Sequence, residues 1–157
     1  MKNIIKLHKI LIAVDDTTYS DKAASYGFSL AKKLGAEIAL VHVDEIPVSV
    51  PYSADPMLNE PAIMIPEIMS IQEEASVNLM NRLVKSVDKD IKLHTFKKIG
   101  NPKDEILATA DEWHADMIIL GTHGRTGLDH FIAGSLAESI VRKATCPVLI
   151  IPNKGDK

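Results

Sequence analysis

The sequence predicts an α/β fold in which a parallel sheet is covered by helices on both faces. Three mainly apolar runs, Ile10 to Val14, Ile38 to Val43 and Met117 to Leu120, alternate with segments of helical spacing. Runs without polar alternation are typical of strands that are buried on both faces, as in parallel sheets. Strand and helix alternating along the chain indicate crossover connections between parallel strands.

The first half of the chain contains a βαβ unit, a proline-rich segment and a long helix. After the first strand, apolar and small residues recur at helical spacing up to Leu34, and Gly35 is a plausible C-terminal stop. The segment from about 44 to 66 carries five of the eight prolines, which predicts a long connecting loop. A helix is expected from about Glu67 to Val87. The residues expected to face inward on it are Ile71, Ala75, Leu79 and Leu83.

The second half completes five strands and four helices. The alternating segment 91–96 predicts a half-exposed strand at a sheet edge. Asn101 is a good N-cap for a helix with Pro102 at its first position, running to about Trp113. A last helix is expected over Ser135 to Lys143 and a last strand over Pro147 to Ile151. Without repeats or boundary signals, residues 1–157 are predicted to form one domain.

Composition argues against several classes of protein. The formal net charge of −3 offers no basic surface for nucleic acid or for anionic membranes. A single cysteine, Cys146, cannot form an internal disulfide and suits a reducing compartment. No apolar run approaches the ~18 residues of a membrane-spanning helix, and the apolar start is too short for a secretory signal. We therefore expect a cytoplasmic protein.

A glycine-rich segment between the fourth strand and the last helix is the strongest functional signal. Residues 121–135 carry the spacing G-x2-G-x9-G-S. Glycines at 121 and 124 let backbone N–H groups converge on an anion. Gly134 and Ser135 stand where a helix begins, adding unpaired N–H groups and the positive end of the helix dipole. Ser135 with Glu138 also forms a capping-box pattern. The segment predicts a phosphate site.

Two other phosphate motifs do not match, and a simpler alternative stays open. A Walker loop needs a lysine before Ser135, and a Rossmann fingerprint needs three glycines after the first strand, where Asp15, Asp16 and Thr17 stand instead. Each glycine alone could be an ordinary turn residue, and Ser135 could be only a helix cap.

Several segments together resemble the universal stress protein family over essentially the whole chain. They are Ile10 to Asp15, the pair His42-Val43, Gly100-Asn-Pro, Gly121-Thr-His-Gly-Arg, Gly134-Ser and Thr145 to Pro152. The glycine spacing is similar to that of the family's ATP-binding branch. The resemblance implies a three-layer sandwich around a five-stranded parallel sheet of order 3-2-1-4-5, like the adenine nucleotide alpha hydrolase fold.

The resemblance also implies a set of ATP-binding residues. Asp15 would lie against the nucleoside, with Ala13 and Val43 near the base and Leu120 and Gly121 along the nucleoside and ribose. Phosphate contacts would come from backbone or hydroxyl donors. The residues implied for those contacts are Gly124, Gly134, Ser135 and Leu136. Thr17 keeps the hydroxyl of the family's first motif. His123 and Arg125 belong to the glycine segment, and Arg125 could either reach a phosphate or be a solvated loop cation.

One departure from the family's pattern concerns charge. The usual glycine after the first aspartate is replaced by Asp16, which adds a negative charge near the expected polyanion. Bound Mg²⁺ or Mn²⁺ could offset the repulsion. No His or Cys pairing predicts a dedicated metal site, and His42 is expected to be a satisfied core histidine. Asp15 and Asp16 could form an acid/base pair, although adjacent side chains rarely point the same way.

These observations favour an ATP-binding regulatory or stress-response protein with segment 44–66 as its moving part. The alternatives are a slow ATP hydrolase or phosphotransferase, and an interaction module that does not depend on nucleotide. The family commonly pairs its last strand with a second subunit, so the resemblance implies a homodimer through Pro147 to Ile151.

Overall fold

The computed structural model describes residues 6–46, 65–122 and 134–152. Its elements are β1 (Lys9–Ala13), α1 (Thr18–Leu34), β2 (Glu37–Asp44), α2 (Ile65–Ser86), β3 (Leu93–Ile99), α3 (Pro102–Trp113), β4 (Met117–Gly121), α4 (Ser135–Lys143) and β5 (Val148–Ile151). Segment 47–64 and the glycine segment from 123 to 133 lie outside the described residues. None of the described helices combines the length and apolar character that crossing a bilayer requires.

The five strands form one parallel sheet in the order β3-β2-β1-β4-β5, which confirms the expected architecture. In the centre, β1 pairs with β2 through Ile12↔Leu40 and with β4 through Ile12↔Ile119. β3 lies at one edge of the sheet, as its alternating pattern predicted, although it begins two residues later than expected. β5 forms the other edge.

The two faces of the sheet carry separate apolar cores. Ile10, Ile12, Ile38 and Leu40 pack with residues of α1 and α2 on one face. Leu11, Val41, Ile118 and Leu120 pack with residues of α3 and α4 on the other face. Because side chains alternate along a strand, each central strand supplies both cores, which is why these strands are apolar throughout.

Helix ends mostly follow the sequence, with one correction. Gly35 ends α1 in the left-handed region at φ 66°. Asn101 caps α3 by accepting a hydrogen bond from the Asp104 N–H at 3.3 Å. The capping box at Ser135 was wrong: Gly134 is the N-cap of α4 and Ser135 is its first helical residue. The chain must pass close to Thr122 here, and only a residue without Cβ fits.

The inward face of α2 was partly mispredicted. Leu79 and Leu83 are buried as expected, but Ile71 is 69% exposed and Ala75 is also exposed. The inward position of that turn belongs to Ser76, whose hydroxyl hydrogen-bonds the Asp44 carboxylate at 2.6 Å. A polar partner on β2 therefore sets the rotation of the helix, which apolar periodicity cannot reveal.

Candidate functional site

A cavity of about 340 Å³ opens at the carboxyl ends of β1, β2 and β4. The helices that follow β1 and β2 lie on the α1–α2 face, whereas α4, which follows β4, lies on the opposite face. The strand order thus reverses beside β1, and such a switch point leaves a crevice where open α/β sheets bind ligands. The volume is within the usual range for small-molecule sites.

One wall of the cavity is apolar. It is formed by strand residues that face the second core and by the inner sides of α3 and α4. Its members are Ala13, Val41, Val43, Pro102, Ile106, Leu120, Leu136 and Ala137. An apolar slot of this kind suits an aromatic ring, because burying the ring removes a large apolar area from water.

A second part of the cavity wall is polar. It is lined by residues from the turn after β1, the end of β2, the inner side of α2 and the β4–α4 connection. Its members are Asp15, Ser20, His42, Asp44, Glu45, Gln72, Thr122 and Ser135. Among the described lining residues three are carboxylates and none is Lys or Arg, so the described walls are electronegative.

Asp15 is held in a tight turn between β1 and α1. Its Oδ1 accepts a hydrogen bond from the Thr17 N–H at 2.9 Å and another from the Thr17 hydroxyl. Its own N–H donates to Ser20 Oγ at 2.6 Å. Thr17 does not line the cavity; it braces Asp15, which does. The Asp-x-Thr pattern thus acts locally as an Asx turn and fixes the carboxylate beside the apolar slot.

The connection between β4 and α4 brings two backbones close together. A Cβ on Gly134 would lie 2.8 Å from the Thr122 carbonyl oxygen, and one on Gly121 would lie 3.0 Å from the Tyr19 carbonyl oxygen. Gly134 also has φ +41°. Ser135 and Leu136 belong to the first turn of α4, where N–H groups have no partner within the helix. These groups can receive an anion at the cavity.

His42, which is buried, and Asp44, which is partly buried, form a polar pair at the end of β2. The Nδ1 of His42 lies 2.8 Å from the Val14 carbonyl oxygen, and its Nε2 lies 3.2 Å from Asp44 Oδ1. His42 is only 6% exposed, so its interpretation as a satisfied core histidine is confirmed. The Ser76 hydroxyl faces the Asp44 carboxylate instead of the imidazole, which is not the arrangement of an activated serine nucleophile.

The structure brings together eight of the twelve predicted site residues in the lining of this cavity. These are Ala13, Asp15, Val43, Leu120, Gly121, Gly134, Ser135 and Leu136. Thr17 does not line the cavity but hydrogen-bonds Asp15, which does. His123, Gly124 and Arg125 lie outside the described residues. Within the described ranges, no group of three or more His, Cys, Asp or Glu side chains is arranged to hold a metal ion.

Sequence reasoning missed several lining residues, notably Ser20, Gln72 and Ile106. Ser20 and Gln72 are polar residues on helices, and Ile106 reads as an ordinary core residue. Asp44 could have been found, because it is the last residue of a strand next to β1 and so lies at the same edge of the sheet as Asp15.

Comparison with known proteins places this architecture in one family. The model of the universal stress protein family matches residues 6–152. A universal stress protein of Methanocaldococcus jannaschii is 32% identical over 145 residues, covering 91% of this chain and 81% of its own. Universal stress protein YxiE of Bacillus subtilis is 32% identical over 145 residues, covering 92% of this chain and 98% of its own.

Solved structures share the fold at lower identity. Universal stress protein UspA from Lactobacillus plantarum has a TM-score of 0.75 at 22% identity, over 93% of this chain and 98% of its own. A universal stress protein in complex with cAMP has a TM-score of 0.59 at 21% identity, over 93% and 97% of the two chains. The Archaeoglobus fulgidus protein in complex with dAMP has a TM-score of 0.59 at 19% identity, over 92% and 98%. By its sequence, sheet order and relatives, this chain belongs to the universal stress protein family.

Proposed function

We propose that this protein binds ATP in the switch-point cavity and acts as a nucleotide-dependent regulatory protein. The observation that carries the proposal is convergence: the Asp15 turn after β1 and the Gly134 turn before α4 line one cavity together with an apolar slot. The Asp15 carboxylate can accept a hydrogen bond from a hydroxyl, the Gly134 turn can donate to a phosphate, and the apolar slot can hold a base. An adenine nucleotide has all three groups.

Each part of the nucleotide has a proposed set of partners. The adenine ring occupies the slot beside Ala13 and Val43, and the ribose lies along Leu120 and Gly121. Asp15 accepts hydrogen bonds from the nucleoside, and Thr17 holds its carboxylate in place. The phosphates are held by the start of α4 and by the glycine segment. The residues proposed for them are Gly134, Ser135, Leu136, His123, Gly124 and Arg125.

Two structural relatives were solved with adenine nucleotides, cAMP and dAMP, which supports a nucleotide of the same class here. The spacing G-x2-G-x9-G-S supports ATP, because it provides a long glycine-containing segment for further phosphates. Asp15, Asp44 and Glu45 line the cavity, and Asp16 is nearby in sequence. We propose that Mg²⁺ or Mn²⁺ accompanies ATP on its phosphate oxygens and lowers this repulsion.

Regulation is proposed instead of turnover because the described part of the site offers no positioned imidazole base. Phosphoryl transfer needs a base or positioned water in addition to cations at the transferred group. Arg125 and the metal are the cations proposed for the phosphates, but His42, the histidine among the described lining residues, is already engaged by Val14 and Asp44. Bound ATP would act by favouring one conformational or oligomeric state over another.

The proposed assembly is a homodimer through β5. This strand is at the edge of the sheet, and its residues Val148, Leu149 and Ile150 are only half buried. Its outer edge carries backbone groups that a second copy can pair, which covers an otherwise exposed edge.

Isothermal titration with Mg-ATP tests the site through Asp15→Ala. The loss of hydrogen bonds to a carboxylate should weaken binding by about 1.5–3 kcal/mol, or roughly 10- to 150-fold. Asp90→Ala is the matched control, because Asp90 is an exposed aspartate just before β3, at the opposite end of the strands. Equal affinity of the two variants would remove Asp15 from the site.

Two further measurements separate the regulatory proposal from its alternatives. Mass spectrometry of nucleotide released from the purified protein should identify ATP. Steady phosphate release that persists through stringent purification would indicate a hydrolase. Absence of any heat with Mg-ATP would indicate an interaction module that works without nucleotide.

A further inference from the structure

Two buried polar side chains hold one peptide group in the lining of the cavity. The peptide group between Val14 and Asp15 presents its carbonyl oxygen to His42 Nδ1 at 2.8 Å. Its N–H, at the opposite end, donates to Ser20 Oγ at 2.6 Å. His42 is on β2 and Ser20 is on α1, and they are 6% and 4% exposed. Contacts from β2 and α1 therefore fix the orientation of this peptide group, and with it the direction in which the Asp15 side chain leaves the backbone.

Both ring nitrogens of His42 have a hydrogen-bond partner. The Val14 carbonyl can only accept, so Nδ1 carries a proton. Nε2 faces Asp44 Oδ1, which also receives the Ser76 hydroxyl at 2.6 Å. Each ring nitrogen therefore has one partner, the Val14 carbonyl at Nδ1 and the Asp44 carboxylate at Nε2.

We propose that His42 and Ser20 are positioning residues, which clamp the Val14–Asp15 peptide group so that the Asp15 carboxylate faces the nucleotide. This inference rests on the proposed function of the cavity. His42 does more than fill the core, because it transmits the position of Asp44 and α2 to the turn that carries Asp15. The chain of contacts runs from Ser76 through Asp44 and His42 to Val14.

Two substitutions at His42 each keep one of its two hydrogen bonds and remove the other. His42→Asn places an amide nitrogen near the position of Nδ1 and keeps the donor to the Val14 carbonyl. His42→Gln places one near the position of Nε2 and keeps only the donor to Asp44. If the clamp is what matters, His42→Gln should weaken nucleotide binding by about tenfold, whereas His42→Asn should remain within about threefold of wild type. Equal losses in both variants would overturn the proposal.

A double-mutant cycle shows whether His42 acts through Asp15. In a chain that already carries Asp15→Ala, His42→Gln should cost less than about twofold in affinity, because the carboxylate it positions is absent. A full tenfold loss in that background would mean a general structural effect and would contradict positioning. Thr109→Val is the matched control for the loss of a buried hydrogen bond outside the cavity. Thr109 is another buried hydroxyl, bonded to the Glu105 carbonyl at 2.7 Å, and it does not line the cavity.

Ser20 gives an independent test if the His42 variants fold poorly. Ser20→Ala removes the acceptor for the Asp15 N–H and should lower affinity by a similar factor, while Ser20→Thr keeps a hydroxyl and should retain most of it. Unchanged affinity in Ser20→Ala would overturn the clamp.

Nuclear magnetic resonance separates this inference from the proposed function. Amide exchange at Asp15 should accelerate at least tenfold in His42→Gln but not in His42→Asn. If wild type binds no nucleotide, the proposed function fails, and amide exchange still decides the clamp: equal exchange in all variants overturns it.

Discussion

Gly134 combines two reasons for being glycine, and a matched pair of substitutions can separate them. Its backbone has φ 41° and ψ 147°, a conformation that residues with a Cβ rarely adopt. A Cβ there would also stand 2.8 Å from the Thr122 carbonyl oxygen. Thr122 cannot easily retreat, because its N–H donates to the Ile151 carbonyl at 3.1 Å. Gly35, by contrast, has φ +66° with nothing within 4 Å of its ideal Cβ.

The expected costs differ accordingly. Gly35→Ala should lower the free energy of unfolding by about 1–2 kcal/mol, the usual cost of a left-handed residue. Gly134→Ala should lower it by about 1–3 kcal/mol for the backbone conformation and by a further ~1–3 kcal/mol for the collision. The entropy that alanine removes from the unfolded chain is the same in both variants and cancels in the comparison.

Urea denaturation followed by far-UV circular dichroism measures both variants against wild type. Provided that the m-values are equal, the difference between the two midpoints reports the collision together with any difference in backbone strain between the two positions. Gly134→Ala must be the less stable variant. If it loses no more stability than Gly35→Ala, the close approach of Gly134 to Thr122 does not constrain the turn, and the argument for that glycine is refuted.

Three further measurements test other parts of the molecule. A hydrogen bond from Lys92 holds the pKa of Glu37 below its ordinary value. The ionised Glu37 carboxylate therefore stabilises the fold at neutral pH, and this stabilisation is lost as the pH falls through the lowered folded-state pKa. Glu37→Gln should therefore be less stable than wild type near pH 7, and thermal melts should show the deficit shrinking as the pH falls through the lowered pKa of Glu37; a deficit independent of pH would contradict this. Asn101→Ala removes the cap that receives the Asp104 N–H and should cost about 1 kcal/mol in chemical denaturation, whereas Asn101→Asp should retain most of the stability. Sedimentation velocity at micromolar protein should give the mass of a dimer; a monomer at all concentrations would refute pairing through β5.

The sequence by itself determined the architecture, because the signals for it are local. Buried parallel strands need apolar side chains on both faces, so β1, β2 and β4 are recognisable as mainly apolar runs. The ends of α1 and α3 depend on Gly35 and Asn101, whose backbone and side-chain chemistry act within a few residues. Most of the candidate site followed as well, since Asp15 and Gly121 stand at carboxyl ends of strands that the family pattern makes neighbours.

Only the tertiary structure decided which polar groups meet. The rotation of α2 depends on Ser76 reaching Asp44, two residues that are 32 apart in sequence. Likewise, the Val14–Asp15 peptide group is clamped by His42 and Ser20, which come from a different strand and a helix. Hydrogen bonds depend on distance and direction within a few tenths of an ångström, which no periodicity in a sequence encodes. Apolar patterning therefore defines where the sheet and helices lie, while the buried polar contacts that shape the cavity exist only once those elements have packed.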